Sequence, residues 1–227
     1  ILGSLIYPAI TSHPEILMIT SYMGKFISRP RQSHKKCLVQ IVAYLKGAKK
    51  LALKYSRTGR IQLSGSSDSD WAGCPFTRYS RYGYVIWLAD GPLIWQSKLA
   101  KRSTMKRTTH VDRSTCEAEY YGIAEALCDL HYLANLLEEM GYPQDIILID
   151  EDNTSVEDVT KGRGRPSTMR HLDIDYRFVQ EDYQNGFFKF NMISGTENTA
   201  DIFTKYKRYT VPLFQKFTRR LLRGVDE

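Results

Sequence analysis

Four carboxylates stand at separated points of this 227-residue chain, each where a strand is expected to end or a helix to begin. Asp68, with Asp70 one residue on, follows the strand-like run Ile61–Ser67. Strand side chains alternate faces, so both leave on one side. Like charges that close repel unless a proton or a cation separates them. Glu119 lies in the first turns of a long helical stretch, Asp152 just after a short apolar strand, and Asp201 in the first turns of a late helix. Hard divalent cations take clustered oxygens, and Mg²⁺ is held by a few carboxylates with water and substrate phosphate. Two such ions about 4 Å apart activate a water and stabilise the leaving oxygen of a phosphodiester. A set of solvated acidic turns is the competing reading of the spacing alone, because Asp and Glu favour helix N-termini for other reasons.

The long helix separates Glu119 from its neighbour Glu117. Helical steps from Glu119 reach Ile123, Ala126, Leu127, Leu130, Ala134 and Leu137, all apolar. Steps from Glu117 reach Tyr121, Glu125, Cys128 and Asn135, a mixed face. Glu119 therefore tops the face that packs on a sheet, where a carboxylate is costly unless paired or metal-bound.

The elements that must place these groups follow from periodicity. A helix is expected over residues 15–27 behind Pro14, and a second from Ser33 to Gly47 with Leu38, Ile41, Val42 and Leu45 on one face. Strands are expected at Leu51–Tyr55, Ile61–Ser67, Tyr82–Leu88 and Leu93–Gln96, the last two joined at Asp90-Gly91. Lys98–His110 is a basic loop without periodicity. Thr115–Met140 is the long helix, closed by Gly141 and Pro143. Ile146–Ile149 is a buried strand, followed by helices at Asn153–Thr160 and Leu172–Asp182, a strand at Phe187–Ile193, and helix from Asn198. A basic tail from Lys205 carries Phe214, Phe217, Leu221 and Leu222 on one helical face. This order is a mixed sheet with helices packed on it, in the α/β class.

The chain is 42% hydrophobic and 12% aromatic, enough for a packed core. No apolar run reaches the roughly 18 residues of a membrane span. Cys37, Cys74, Cys116 and Cys128 form no zinc-site spacing, which fits a reduced intracellular protein. The chain opens on Ile1 rather than Met and reads as a piece of something longer. Net charge is +7, and it is uneven: eleven basic residues face Glu15 alone in residues 1–60. A basic arm on a slightly acidic body suits a polyanion partner, against the plainer reading of a solubilising surface. Trp71, Trp87 and Trp95 read as core aromatics, and His110 and His171 as surface or capping groups.

Read together, the motifs resemble one family. Ser67-Asp68-Ser69-Asp70-Trp71-Ala72-Gly73, Gly83-Tyr84-Val85 and Trp95-Gln96-Ser97-Lys98 are similar to the ribonuclease H domain of copia-type retrotransposon polyproteins. Ser114-Thr115-Cys116-Glu117-Ala118-Glu119-Tyr120 resembles that family's S-S-T-E-A-E-Y, and Asp152-Asn153-Thr154-Ser155 its D-N-Q-S. His171-Leu172-Asp173-Ile174 resembles H-I-D-I, and Ala200-Asp201-Ile202-Phe203-Thr204-Lys205 matches A-D-I-F-T-K. Gly3–Tyr7, His34 and Tyr44–Gly47 look like the end of the family's reverse transcriptase, without a Y-x-D-D polymerase motif.

The resemblance implies a ribonuclease H-like five-stranded mixed sheet with helices on both faces, preceded by a small basic helical segment. It divides the chain into a reverse-transcriptase remnant at 1–60, a ribonuclease H-like domain at 61–205 and a tail at 206–227. It implies Mg²⁺-dependent cleavage of the RNA strand of RNA–DNA hybrids, with Mn²⁺ as an alternative ion and no small-molecule cofactor. Asp68, Glu119, Asp152 and Asp201 are then the catalytic, metal-binding acids. By similarity Asp68 bridges two ions, Asp201 serves the ion carrying the water, and Glu119 and Asp152 serve the leaving-group side. Asp70 is a supporting residue. The basic loop offers Lys98, Lys101, Arg102, Lys106 and Arg107 to phosphates. The partners implied are the hybrid and the upstream reverse transcriptase, with no membrane. The place implied is intracellular, in a cytoplasmic virus-like particle or the nucleus. A catalytically silent, nucleic-acid-binding remnant is the alternative function, and an integrase-like transferase a more distant one.

Overall fold

The computed structural model describes residues 1–56, 61–100, 115–163, 173–205 and 209–225. Three short helices lead, α1 (Leu2–Thr11), α2 (Leu17–Met23) and α3 (Gln32–Gly47). The chain continues through β1 (Leu51–Ala52), β2 (Leu63–Asp70), β3 (Arg81–Leu88), β4 (Gly91–Leu99), α4 (Thr115–Glu139) and β5 (Ile147–Glu151). It ends with α5 (Thr154–Thr160), α6 (Asp173–Gln184), β6 (Phe188–Met192), a 3-10 turn at Thr199–Phe203, α7 (Val211–Leu221) and β7 (Arg223–Gly224). The expected five-stranded mixed sheet is present, in the order β4-β3-β2-β5-β6. β2, β3 and β4 are antiparallel, while β5 pairs parallel with β2 and with β6.

One face of the sheet is covered by α4, with α5 and α6 beside it. α4 is helical over 25 residues because its apolar positions recur at helical spacing. It stops where Gly141 turns to φ +87°, with Tyr142 N–H donating to Leu137 O and Gly141 N–H to Glu138 O. Ile123, Leu127 and Leu130 are fully buried against Leu63, Ile86, Ile147 and Ile149. Each such side chain contributes about 1.5–3 kcal/mol.

The other face is covered by the two ends of the chain. Leu5, Ala9, Ile16, Leu17 and Ile41 from the leading helices pack with Val85 and Trp95 of the sheet and with Phe203, Phe217 and Leu221. Polar bonds fasten the leading helices: Trp95 Nε1 donates to Ala9 O at 2.9 Å, and Arg81 to Ser21 Oγ at 3.2 Å. β1 pairs with β7, bringing both ends together. The lysines of α3 (Lys35, Lys36, Lys46) are exposed, as its sequence predicts.

Several elements differ from the sequence reading. α1 is an extra helix; Pro8 inside it removes a backbone donor, yet Leu5 and Ala9 gain burial that offsets this. α3 starts at Gln32, before Ser33, and Arg31 N–H donates to His34 Nδ1 at 3.0 Å. Val42 lies exposed rather than on the packed face. β2 runs on through Asp70, because Asp70 still pairs with Arg81, so Asp68 lies inside the strand. The hairpin turn is Ala89-Asp90, both left-handed, one residue before the expected Asp90-Gly91. The segment from Asn198 is a single 3-10 turn rather than a long helix. Trp71 is exposed and Trp95 buried, so only part of the aromatic set is core.

Candidate metal centre

β5 ends at Glu151, and its last register pair with β2 is Ser66↔Asp150. β2 continues to Asp70, so beyond Ser66 its flank has no neighbouring strand on that side. Carboxylates from both faces of the sheet meet there. Asp68 shares a face with Ser64 and Ser66, by the two-residue period of a strand. Glu119 comes from α4 on the opposite face, and Asp152 from the turn after β5.

Two glycines let the flanking elements come close enough. A Cβ on Gly122 would lie 3.2 Å from Ser67 Oγ and Ser69 Oγ, so α4 rests tightly on β2 one turn below Glu119. Ser69 Oγ donates to Ala118 O at 2.9 Å and fixes that contact. Gly83 pairs with Asp68 across the sheet, and a Cβ there would collide with Phe203. The 3-10 turn bearing Asp201 can therefore lie directly on the sheet beside Asp68. Asn198 opens that turn, accepting from Ala200 N–H at 3.0 Å and donating to Ser67 O at 2.7 Å.

Ligand oxygens of Asp68, Glu119 and Asp152 all lie within 4.8 Å of one another. Asp201 joins them through Lys205. The Lys205 ammonium donates to Asp68 Oδ1 at 3.1 Å and also to Asp201 Oδ1. Thr204 Oγ1 sits on Asp68 Oδ2 and 3.0 Å from Asp201 O. Tyr209 donates its hydroxyl to Asp201 O. A fifth acid completes the group: Glu151 is fully buried, and its Oε1 accepts from Asp152 N–H at 3.2 Å and Asn153 N–H at 3.0 Å. Those bonds hold the turn that presents Asp152.

The electrostatics follow from crowding acids away from water. Burial raises Glu119 well above the usual carboxylate range, and the charges of Glu151, Asp68 and Asp152 add to it. Glu151 is raised by burial and lowered back in part by the Asn153 N–H. Burial and then Asp68 raise Asp152. Asp201 is pushed up to about 8 by burial and Asp68, against the opposing pull of Lys205. Glu119 Oε2 and Glu151 Oε2 are buried without a hydrogen-bond partner among the described residues. Such atoms call for a proton or a cation. An all-oxygen donor set with an orphaned carboxylate oxygen fits a hard divalent ion such as Mg²⁺ or Mn²⁺.

Of the five basic residues expected to meet phosphate, Lys98 is exposed at the end of β4. Lys101, Arg102, Lys106 and Arg107 lie outside the described residues, as do His110 and His171. Glu117 is buried like Glu119, so the helical phase marked Glu119 correctly but did not leave Glu117 in solvent. Asp70 is half-buried in β2, two residues from Asp68 on the same face, and Gly73 N–H donates to its carbonyl at 3.1 Å. The sequence reading missed Glu151, Thr204 and Lys205. Glu151 follows Ile147 and Ile149 in the alternation of β5, which was the available sign that it faces α4.

A mixed five-stranded sheet in the order β4-β3-β2-β5-β6, with helices on both faces, is a ribonuclease H-like fold. No protein-family model matches the chain. It is 30% identical over 203 residues to a retrovirus-related Pol polyprotein from transposon TNT 1-94 of Nicotiana tabacum, covering 89% of this chain and 15% of the relative. It is 30% identical over 225 residues to that from transposon RE1 of Arabidopsis thaliana, covering 97% of this chain and 14% of the relative. Among solved structures, an LC11 ribonuclease H1 isolated from compost aligns at 19% identity and a TM-score of 0.46, over 63% of this chain and 93% of that one. The chain is thus similar to retrovirus-related Pol polyproteins from transposons, and spans about 15% of the length of these relatives. Among the described residues, no helix is long and apolar enough to cross a membrane.

Proposed function

We propose that this chain is a metal-dependent endonuclease that hydrolyses the RNA strand of RNA–DNA hybrids during retrotransposon reverse transcription. The observation that supports this most is the meeting of Asp68, Glu119 and Asp152 within 4.8 Å at the open flank of β2. Asp68, Glu119 and Asp152 would hold one Mg²⁺ ion, and Asp68 with Asp201 a second. When bound, the ions supply an activated water and charge for the leaving oxygen. The chain's own residues prepare that site. Thr204 fixes the rotamer of Asp68 by holding its Oδ2. Glu151 fixes the backbone that carries Asp152. Lys205 holds a positive charge against Asp68 and Asp201 until other positive charge takes its place. The hybrid and the upstream reverse transcriptase of the same polyprotein are the partners on this reading, within the cell.

The test is cleavage of a hybrid labelled on the RNA strand, with Mg²⁺, with Mn²⁺ and with chelator. The chain should cut only with divalent ion present, and Asp152→Asn should abolish cutting while keeping the circular-dichroism spectrum. A chain that cuts no hybrid at any Mg²⁺ or Mn²⁺ concentration sinks the proposal. One observation favours a second reading, a silent nucleic-acid-binding remnant: the Lys205 ammonium already bonds to both Asp68 and Asp201. That reading expects salt-sensitive hybrid binding without turnover.

A further inference from the structure

Away from the carboxylates, the second face of the sheet is covered over only part of its width. Its side chains run in rows across the strands: Trp87, Ser64, Leu148 and Lys189 in one, Val85, Ser66, Asp150 and Asn191 in the next. The leading helices, the 3-10 turn and α7 cover the β3–β4 side. On the β5–β6 side Leu148, Lys189 and Asn191 are exposed. The step between the two halves is a cleft of about 590 Å³.

Its floor is Ser64 and Ser66, and Trp87 flanks them; Arg219 and Arg220 of α7 and Arg223 of β7 line it as well. Small hydroxyl residues on β2 keep the floor low where larger ones would fill it. Arg220 is held in place by Glu197 at 2.6 Å and lies 3.3 Å from Thr199 Oγ1. Arg219 and Arg223 are exposed and form no ion pair with a described carboxylate. Asp90 and Asp150 also border the cleft. Asp150 is already engaged by Ser66 Oγ at 3.1 Å and Asn191 Nδ2 at 2.7 Å, and Asp90 sits in the exposed hairpin turn. The lining therefore sets three guanidinium groups against two carboxylates, with Arg220 also paired to Glu197.

Guanidinium forks match phosphate oxygens, and an indole beside them offers a face on which a base can stack. A duplex keeps its bases inside, so an aromatic floor edge favours an unpaired strand. The volume is that of a small-ligand site rather than of a duplex groove. We propose that this cleft binds single-stranded nucleic acid, with Arg219 and Arg223 on its phosphates and Trp87 against a base. The lining includes none of the four acids, although Ser66 and Asp150 stand two residues from Asp68 and Asp152, and the proposal does not depend on nuclease activity.

The test uses the full chain in chelator, so that nothing is cut, and a fluorescein-labelled thymidine oligonucleotide of about eight residues. Anisotropy is followed over a range of salt. Arg219→Ala/Arg223→Ala should weaken binding about tenfold or more and reduce the salt slope by about 1.4, the value for two single-strand phosphate contacts. Trp87→Phe should weaken binding and remove the tryptophan quenching that the oligonucleotide causes. Lys161→Ala/Arg163→Ala removes the same charge elsewhere and should change neither. The proposal is overturned if both double variants lose affinity equally, if neither does, or if the matching duplex binds as tightly. It is also overturned if poly-glutamate of equal charge displaces the oligonucleotide equally well. Hybrid cleavage by the Arg219→Ala/Arg223→Ala variant, measured separately with Mg²⁺, keeps failure of this cleft distinct from failure of the nuclease reading.

Discussion

The two faces of the sheet are built in opposite ways. The α4 face is assembled from residues 63–190, with its partners following one another along the chain, and its core is almost wholly apolar. The second face is closed by residues 5–41 and 202–222, the far ends of the described chain, and includes polar fasteners at Trp95 and Arg81. The carboxylates meet at the border between the two faces. Glu119 depends on the first, and Asp201, Thr204 and Lys205 depend on the second. A site so placed requires both faces to be formed, although only one is built from consecutive elements.

The largest expected effects ask whether both faces are true cores. Leu130→Ala on the first should cost about 2–5 kcal/mol, and Phe217→Ala on the second about 3–5 kcal/mol, by denaturant unfolding. A cost below about 1 kcal/mol for Phe217→Ala, with Leu130→Ala as expected, would break the comparison by making the second face a loose cover. Next comes Gly83→Ala, whose added methyl collides with Phe203 and would lie 3.1 Å from Thr204 Cγ2. It should cost about 1–3 kcal/mol and weaken divalent-ion binding, because it lifts the Asp201 turn off the sheet. Unchanged ion binding would show that the second face contributes nothing to the site. Trp95→Phe removes the donor to Ala9 O and should cost about 1 kcal/mol.

The pH dependence sharpens the same contrast. Asp201 keeps its proton to about 8 in the folded chain, against an ordinary value of 3.8. A raised carboxyl contributes stability that is complete below its unfolded value and lost as pH rises through the folded one. Glu119, Glu151 and Asp152 are shifted in the same direction. In chelator, thermal stability should therefore fall as pH is raised from about 4 to about 8, and Asp201→Asn should flatten part of that fall. Added Mg²⁺ should restore stability at the upper end by binding the folded state alone. Stability that rises with pH in chelator would contradict the crowding of these acids.

Much of the first face was legible because its order in space is its order in sequence. The apolar stripe from Ile123 to Leu137 identified α4 and its buried side, and with it Glu119. Strand patterns put Asp68 and Asp152 near strand ends, although β2 runs on past Asp68 to Asp70, and their role as a set came from the family resemblance. The second face was not legible in the same way. Nothing local says that Ala9 meets Trp95 or that Phe217 shares a core with Leu5, and Pro8 masks α1. Lys205 and Thr204 stood inside a recognised motif, yet their role depends on the fold bringing that turn against Gly83. Glu151 was overshadowed by Asp152 beside it, although the β5 alternation places it with Ile147 and Ile149. Helical phase alone overstated the difference between Glu117 and Glu119, because both are buried at the start of α4.

The most direct measurement is a calorimetric titration of Mn²⁺ into the metal-free chain, beside Asp68→Asn. The charge of Asp68 acts on Glu119, Glu151, Asp152 and Asp201 alike. Saturable binding in the unaltered chain, lost or weakened by at least about tenfold in Asp68→Asn with the fold intact, is the predicted result. Identical isotherms for the two proteins would contradict a metal centre at the open flank of β2.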